Sequence, residues 1–290
     1  MTSTRRSLVL CLPIVLMLGA CSSTPENPFS NLPPDELYTA SQQAIKRGQF
    51  KKAGQHLQEI DQKHPFSNWA TKAQINLIYS HFRQEEYDDA LSAAERFIRL
   101  HPRHPQVAYA FYMRALSEFK RISDPMRDQH HTKLAAAALN EVVTRFPNSD
   151  YADESRRMLM FCMDHLAAQE VTVGRFYLDR REWIAASNRF RRIIEQPQFN
   201  VTPYVEEALF SMTWISWQMG LPEEARHYGT VLGHNFPNGP FYQASLRLLG
   251  KQEQPDRSQL EAMRRNLDED SVIKRFFEGL TPGIPGLTDR

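Results

Sequence analysis

Ala90-Leu91-Ser92-Ala93-Ala94-Glu95-Arg96-Phe97-Ile98-Arg99-Leu100-His101-Pro102 carries both a helix and its stop signal. Leu91, Ala94 and Phe97-Ile98 return at helical spacing, so one face is apolar. Pro102 has no backbone N–H and its ring collides with the preceding turn, so the helix ends before it. Ala90 precedes Pro102 by 12 residues, and the same interval separates Ala53 from Pro65, Ala135 from Pro147, Ala185 from Pro197 and Ala225 from Pro237. One such match means little for a residue as common as alanine, but five form a pattern. An aromatic residue stands just before the alanine at Phe50, Tyr87 and Trp183. Upstream of Ala90, Leu77, Tyr79-Ser80 and Phe82 supply the partner helix.

The closing prolines are 37, 45, 50 and 40 residues apart, a period that belongs to stacked helical hairpins. A small residue is needed where the two helices of a pair cross closely, and proline followed by Ser, Asn or Gly ends one hairpin and opens the next. The pattern resembles the tetratricopeptide repeat, with Ala53 and Leu57 before Pro65 and Ala186 and Phe190 before Pro197 at its A-x3-F and closing-proline positions. The expected fold is all-α, a superhelical array of about five such hairpins. Repeats one to three occupy residues 34–148; repeats four and five occupy 149–250, joined to them by a long helix, and an insert falls at 121–131. An array of this kind has no deep catalytic crevice and offers an extended concave face to peptides or partner domains.

Composition agrees. In 290 residues, 41% are apolar and 24% charged, which suffices for a sizeable core. A formal charge of +1 provides no field to concentrate nucleic acid, so a nucleic-acid partner is disfavoured. Twelve glycines leave little for phosphate-cradling loops.

The start of the chain reads as a signal peptide over residues 1–20. Arg5 and Arg6 are followed by an apolar run over 8–18, eleven residues that are too few to span a bilayer as a helix. The run ends in Leu18-Gly19-Ala20-Cys21, which resembles a lipobox, so Cys21 is the expected site of acylation and the anchor to the membrane. Residues 21–33, rich in Ser, Pro, Asn and Glu, read as a flexible tether. The mature chain keeps 33 basic and 34 acidic residues, so its body is not drawn to a membrane by charge. Ser22 follows the cysteine where lipoproteins retained in the inner membrane usually have Asp, which points to the periplasmic face of the outer membrane.

No side chains converge on chemistry. His130 and His131 are adjacent and project about 100° apart on a helix, so they do not form a metal pair by themselves. Cys162, within Met158-Leu159-Met160-Phe161-Cys162-Met163, reads as a core thiol. With no HExxH, GxSxG, CxxC or phosphate loop, neither an enzyme nor a cofactor is expected. Phe66, Trp69, Tyr79, Phe82, Tyr109, Phe111 and Tyr112 exceed one buried stripe. Most are core; Trp69, at the start of a first helix, belongs either to packing or to a peptide-binding concave surface.

Several stretches carry a closer resemblance: Leu32-Pro33-Pro34-Asp35-Glu36-Leu37-Tyr38, His64-Pro65-Phe66-Ser67, Arg96 through Pro105, Tyr112-Met113-Arg114-Ala115-Leu116 and Phe146-Pro147-Asn148-Ser149-Asp150-Tyr151. With the lipobox and the repeats, this wording resembles the BamD, or ComL, family of lipoproteins in the β-barrel assembly machinery of the outer membrane. The resemblance implies a non-enzymatic scaffold that inserts β-barrel proteins. Its C-terminal repeats would hold the periplasmic domain of the barrel-forming subunit, beside accessory assembly lipoproteins. Its N-terminal repeats would meet the C-terminal signals of unfolded outer-membrane proteins. Residue by residue, it places Trp69 in the client-peptide pocket, where the aromatic excess adds Phe66 and Tyr79 as candidates, and Arg189, Phe176 and Tyr177 at the partner subunit. Trp69 stands where the family more often has tyrosine. A tetratricopeptide lipoprotein of pilus assembly or of peptidoglycan would share the anchor and the fold.

Residues 251–290 read as a tail with an amphipathic helix. Ser258-x-x-Glu261 has the form of a capping box ahead of Leu260, Met263 and Leu267, and a second apolar run places Ile273, Phe276, Phe277 and Leu280. Two roles fit the tail: sealing the last repeat, or docking another subunit.

Overall fold

A computed structural model describes residues 32–251, 253 and 256–270, and among these all regular structure is helical. Five antiparallel hairpins follow one another: α1 (Pro34–Lys46) with α2 (Phe50–Lys63), α3 (Ala70–Arg83) with α4 (Tyr87–Leu100), α5 (Val107–Phe119) with α6 (His130–Arg145), α7 (Ala152–Asp179) with α8 (Trp183–Glu195), and α9 (Tyr204–Gln218) with α10 (Pro222–Asn235). Then come α11 (Pro240–Lys251), packed on α9 and α10, and α12 (Arg257–Asp270). The tetratricopeptide-like array is therefore the fold. Cys21, the signal peptide, most of the tether and the apolar run at Ile273, Phe276, Phe277 and Leu280 lie outside the described residues.

Four of the five hairpins turn in the same way. Gly48, Glu85, Arg181 and Gly220 each sit in the left-handed region, with φ of 70°, 61°, 59° and 73°. The next N–H in each case reaches back to the last helical turn: Gln49 to the Ala44 carbonyl at 2.8 Å, Glu86 to His81 at 3.1 Å, Glu182 to Tyr177 at 3.0 Å and Leu221 to Ser216 at 2.9 Å. This satisfies carbonyls that the helix end leaves open. The third hairpin departs from the rule because of the insert. Its loop is organised from within by buried Gln129, whose amide donates to the carbonyls of Asp124, Pro125 and Arg127 at 3.1–3.2 Å.

Hairpins are joined at the prolines. His64, His101, Phe146 and Phe236, each just before a proline, share φ near −130° and ψ between 47° and 58°, out of the helical well that a following proline disfavours. Gln196 is the exception, at φ −95° and ψ 110°, and α8 is one residue shorter than α2, α4 or α10. The shortening decides between two sequence readings: Ala186, from the A-x3-F spacing, and not Ala185, from the interval to Pro197, fills the helix crossing of the fourth hairpin. Ala53, Ala90, Ala186 and Ala225 are each the fourth residue after the helix cap and fully buried, whereas Ala185 is partly exposed.

The core runs in three clusters along the array. Leu37, Leu57, Ile60, Ala73 and Leu77 form the first. The second gathers hairpins two and three with Met158, Phe161 and Cys162 of α7. The third takes Leu166, Val171 and Leu178 of the same helix together with hairpins four and five and Leu260 of α12. Tyr79, Phe82, Tyr109, Phe111 and Tyr112 are all buried in these clusters or beside them. No described helix is long and apolar enough to cross a membrane.

The tail helix is real over 257–270, but its cap is not the box read from the sequence. Asp256 precedes the helix and accepts the Ser258 N–H at 3.1 Å, while Glu261 pairs with Arg257 instead of reaching back to a cap. Asp256 is the better cap because its charged carboxylate faces the positive end of the helix.

Candidate partner-binding surfaces

The fourth hairpin presents two features on its surface. Glu170 of α7 receives two guanidiniums from α8, Arg189 to one oxygen and Arg192 to the other, both at 3.1 Å. One carboxylate facing two arginines leaves a positive remainder, and the Arg189 side chain is still 33% exposed. One to two turns along α7 from Glu170, Phe176 is 48% exposed, and the Arg180 guanidinium lies 4.0 Å above its ring. Tyr177 stands at 5.4 Å from Phe176, nearly perpendicular, with its body packed on the third core cluster. Arg180 follows Phe176 by four residues, so this stacked pair was readable as a helix neighbour. Glu170 was not singled out in the sequence because its arginines lie 19 and 22 residues away.

The N-terminal aromatic residues are separated by the fold. Trp69 caps α3, stacks at 4.9 Å on Tyr38 of α1 and borders the first core cluster, so it is half core and half surface. Lys72, one turn on, places its ammonium 4.8 Å from the ring centre. Phe66 is wholly exposed in the turn before it. Tyr79 is different: it is 8% exposed, its hydroxyl accepts from Arg83 at 2.6 Å, and its ring meets the edge of Phe50. Ten residues of helix put it about 15 Å along α3 from Trp69, so the two do not line one small pocket. Lys72 was not anticipated; a lysine three residues after an aromatic is its only trace in the sequence.

Buried ionisable groups are structural in their surroundings. Burial pushes the Cys162 thiol up to about 12, which keeps it protonated at neutral pH and unreactive as a nucleophile. His131 pairs with Glu118 at 2.9 Å, while His130 is exposed beside it. His101 meets Gln74 at 2.8 Å and stacks on Phe97 in a repeat-closing turn.

Known proteins can be set against this geometry. Residues 30–231 match the family described as "YfiO: Outer membrane lipoprotein". A protein of Caulobacter vibrioides named outer membrane protein assembly factor BamD is 35% identical over 239 residues, 81% of this chain and 78% of its own. The protein of that name from Rickettsia prowazekii is 35% identical over 82% of this chain and 94% of its own, and that of Neisseria meningitidis serogroup A is 33% identical over 71% and 80%. The chain belongs to the BamD family. Membership assigns this BamD-family protein to outer membrane protein assembly and associates it with the outer membrane. The matched region of the family model starts before α1 and ends in α10, so it covers all five hairpins while α11 and α12 follow it.

Proposed function

We propose that the chain is a lipid-anchored, non-enzymatic scaffold on the periplasmic face of the outer membrane. Cys21 carries the acyl anchor. The fourth and fifth hairpins hold the periplasmic domain of the barrel-forming subunit, with accessory lipoproteins beside it. The first two hairpins receive the C-terminal signals of unfolded barrel proteins. The observation that carries the reading is the surplus positive charge at Glu170, Arg189 and Arg192; the half-exposed Phe176 is a separate exposed feature of the same hairpin. A carboxylate on a partner completes that cluster, and Phe176 with Tyr177 offers the partner a separate apolar contact on the same hairpin.

The client end is supported by Trp69 with Lys72. An aromatic ring and a cation one turn apart suit a chain terminus that ends in an aromatic residue and a free carboxylate. Phe66 in the preceding turn extends the apolar surface, and Tyr79 packs α3 against Phe50 of α2, across the junction of the first two hairpins.

Co-purification from detergent-solubilised membranes tests the reading. Arg189→Glu is expected to weaken recovery of the barrel-forming subunit at least tenfold, by removing one cation and repelling the partner carboxylate. Arg191→Glu, on a neighbouring exposed residue paired only loosely with Glu195 at 3.8 Å, is expected to change it little. Equal losses from both substitutions would reduce the claim to a diffuse basic surface. Recovery of a secretin or of cell-wall fragments in place of a barrel subunit would overturn it in favour of pilus or peptidoglycan function. Trp69→Ala is expected to abolish most binding of a client C-terminal peptide and to cost about 2 kcal/mol of stability, since half of the ring is packed.

A further inference from the structure

The turn of the second hairpin gathers negative charge that the cations around it do not match. Four of the five residues from Glu85 to Asp89 are acidic. Arg121 reaches across from the third hairpin and takes Asp88 at 2.6 Å. Arg83, two residues before Glu85, is engaged elsewhere: its guanidinium lies 4.4 Å above the Phe50 ring and donates to the Tyr79 hydroxyl at 2.6 Å. Among the described residues Asp89 is left without an ion-pair partner.

His81, in the last turn of α3, faces this charge. Its Nδ1 is 2.7 Å from an oxygen of Glu86, and one donor atom from each of His81, Glu86 and Asp89 lies within 4.8 Å of the other two. Local structure fixes the set. Glu86 stands at the cap position of α4, yet its side chain does not bond to the helix N–H groups as a cap would; it turns back to the imidazole. Asp89 follows three residues later, which puts it on the same side of the first turn. The backbone closes the loop, since the Glu86 N–H donates to the His81 carbonyl at 3.1 Å across left-handed Glu85. Ligands bound about 2.1 Å from a zinc ion stand about 3.4 Å apart in a tetrahedron. Small rotations of the two exposed carboxylates reach that spacing.

We propose that His81, Glu86 and Asp89 form a binding site for a divalent cation of the zinc class, which staples the end of α3 to the start of α4. Two carboxylates balance the charge of the ion, the imidazole supplies the nitrogen ligand that zinc favours, and the open side of the site leaves room for water as a fourth ligand. The ion takes the place of the proton between His81 Nδ1 and Glu86, and that proton leaves to solvent. Mg²⁺ and Ca²⁺ prefer all-oxygen surroundings, so the histidine selects against them. The site belongs to the second hairpin alone and rests neither on the arginines of α8 nor on Trp69.

Zn²⁺ is the probe, titrated by calorimetry into the whole mature protein in detergent after dialysis against a chelator. One ion per chain is expected to bind at micromolar concentration, a hundredfold excess of Mg²⁺ is expected not to displace it, and amide exchange at residues 84–86 is expected to slow in its presence. His81→Gln and Asp89→Asn are each expected to weaken that binding at least tenfold and to remove the exchange effect. Asp88→Asn, whose carboxylate Arg121 already holds, and His130→Gln, on the exposed histidine beside His131, are expected to change it little. Circular dichroism checks that each variant keeps its helices; should His81→Gln not melt cooperatively, Asp89→Asn decides. Absence of saturable Zn²⁺ binding, binding indifferent to both His81→Gln and Asp89→Asn, displacement by Mg²⁺, or an equal loss from His130→Gln would each overturn the proposal.

Discussion

Gly174 of α7 faces the ring of Phe190 of α8 so closely that a Cβ on residue 174 would lie 2.8 Å from Cζ and 2.9 Å from Cε1. Phe190 is fully buried at the helix crossing, so its ring has nowhere to retreat. Gly174→Ala is therefore expected to destabilise the protein by about 1–3 kcal/mol despite the better helix propensity of alanine. Urea unfolding measures this. Adding Phe190→Leu, which removes the opposing ring edge, is expected to restore part of the loss; no destabilisation by Gly174→Ala alone would show that the hairpin opens freely.

Glu85 and Arg181 occupy the left-handed turn position that glycine holds at Gly48 and Gly220. A side chain there costs about 1–2 kcal/mol, and the extra freedom of glycine in the unfolded chain offsets part of any gain. Arg181→Gly is expected to stabilise by about 0.5–1 kcal/mol, and Gly48→Ala to destabilise by about 1 kcal/mol. A midpoint shift of the opposite sign for Arg181→Gly in urea unfolding would mean that its side chain makes a contact worth more than the turn strain.

The same turns show how far the sequence can be read. Prolines and apolar stripes act locally, through φ and helical spacing, so the hairpin count and the long α7 were legible. The hairpin turns were only half marked, because Glu85 and Arg181 replace the glycine that would have signalled them. Counting back from Pro197 points to Ala185, whereas the A-x3-F spacing to Phe190 points to Ala186; the count assumes that all closing turns are alike, and Gln196 breaks that assumption by adopting extended backbone. Surface assignments fared differently. Arg189 and Phe176 do reach the surface, while Tyr79 is spent on packing. The cluster in which Arg175 of α7 and Arg264 of α12 both bond to Glu207 of α9 left no sequence trace, since its members are 32 and 57 residues apart and meet only when the array has stacked.

His165 ties α7 to the insert of the third hairpin, with its Nε2 2.8 Å from the Ser123 carbonyl and its ring stacked on Phe161. Burial lowers its proton affinity, and the Ser123 bond and nearby Asp124 only partly oppose this. His56 and His104 are shifted in the same direction, each mainly by burial. Below about pH 6.5 the unfolded chain therefore binds more protons than the folded one. Stability is full above that pH and falls as acid takes the solution down toward the lower folded-state values. The melting temperature is expected to drop between pH 7.5 and 5.5, and His165→Gln is expected to flatten that slope. Amide exchange of residues 121–129 should quicken over the same interval; an unchanged melting temperature would rule out buried neutral histidines as the cause.

Anchoring is expected to hang on Cys21. The body carries near-balanced charge and no described helix able to cross a bilayer, so neither feature supplies membrane affinity. A single acyl chain binds reversibly, whereas several on one residue hold firmly. Cys21→Ser is expected to shift the protein from the outer-membrane fraction to the soluble periplasmic fraction, or to leave it unprocessed, while circular dichroism of the body stays unchanged. The measurement is best made in cells depleted of the barrel-forming subunit, because a scaffold docked on a membrane-embedded partner would sediment with membranes whether or not it carried lipid. Persistent outer-membrane fractionation of Cys21→Ser under that depletion would show that some other surface of the chain binds the membrane.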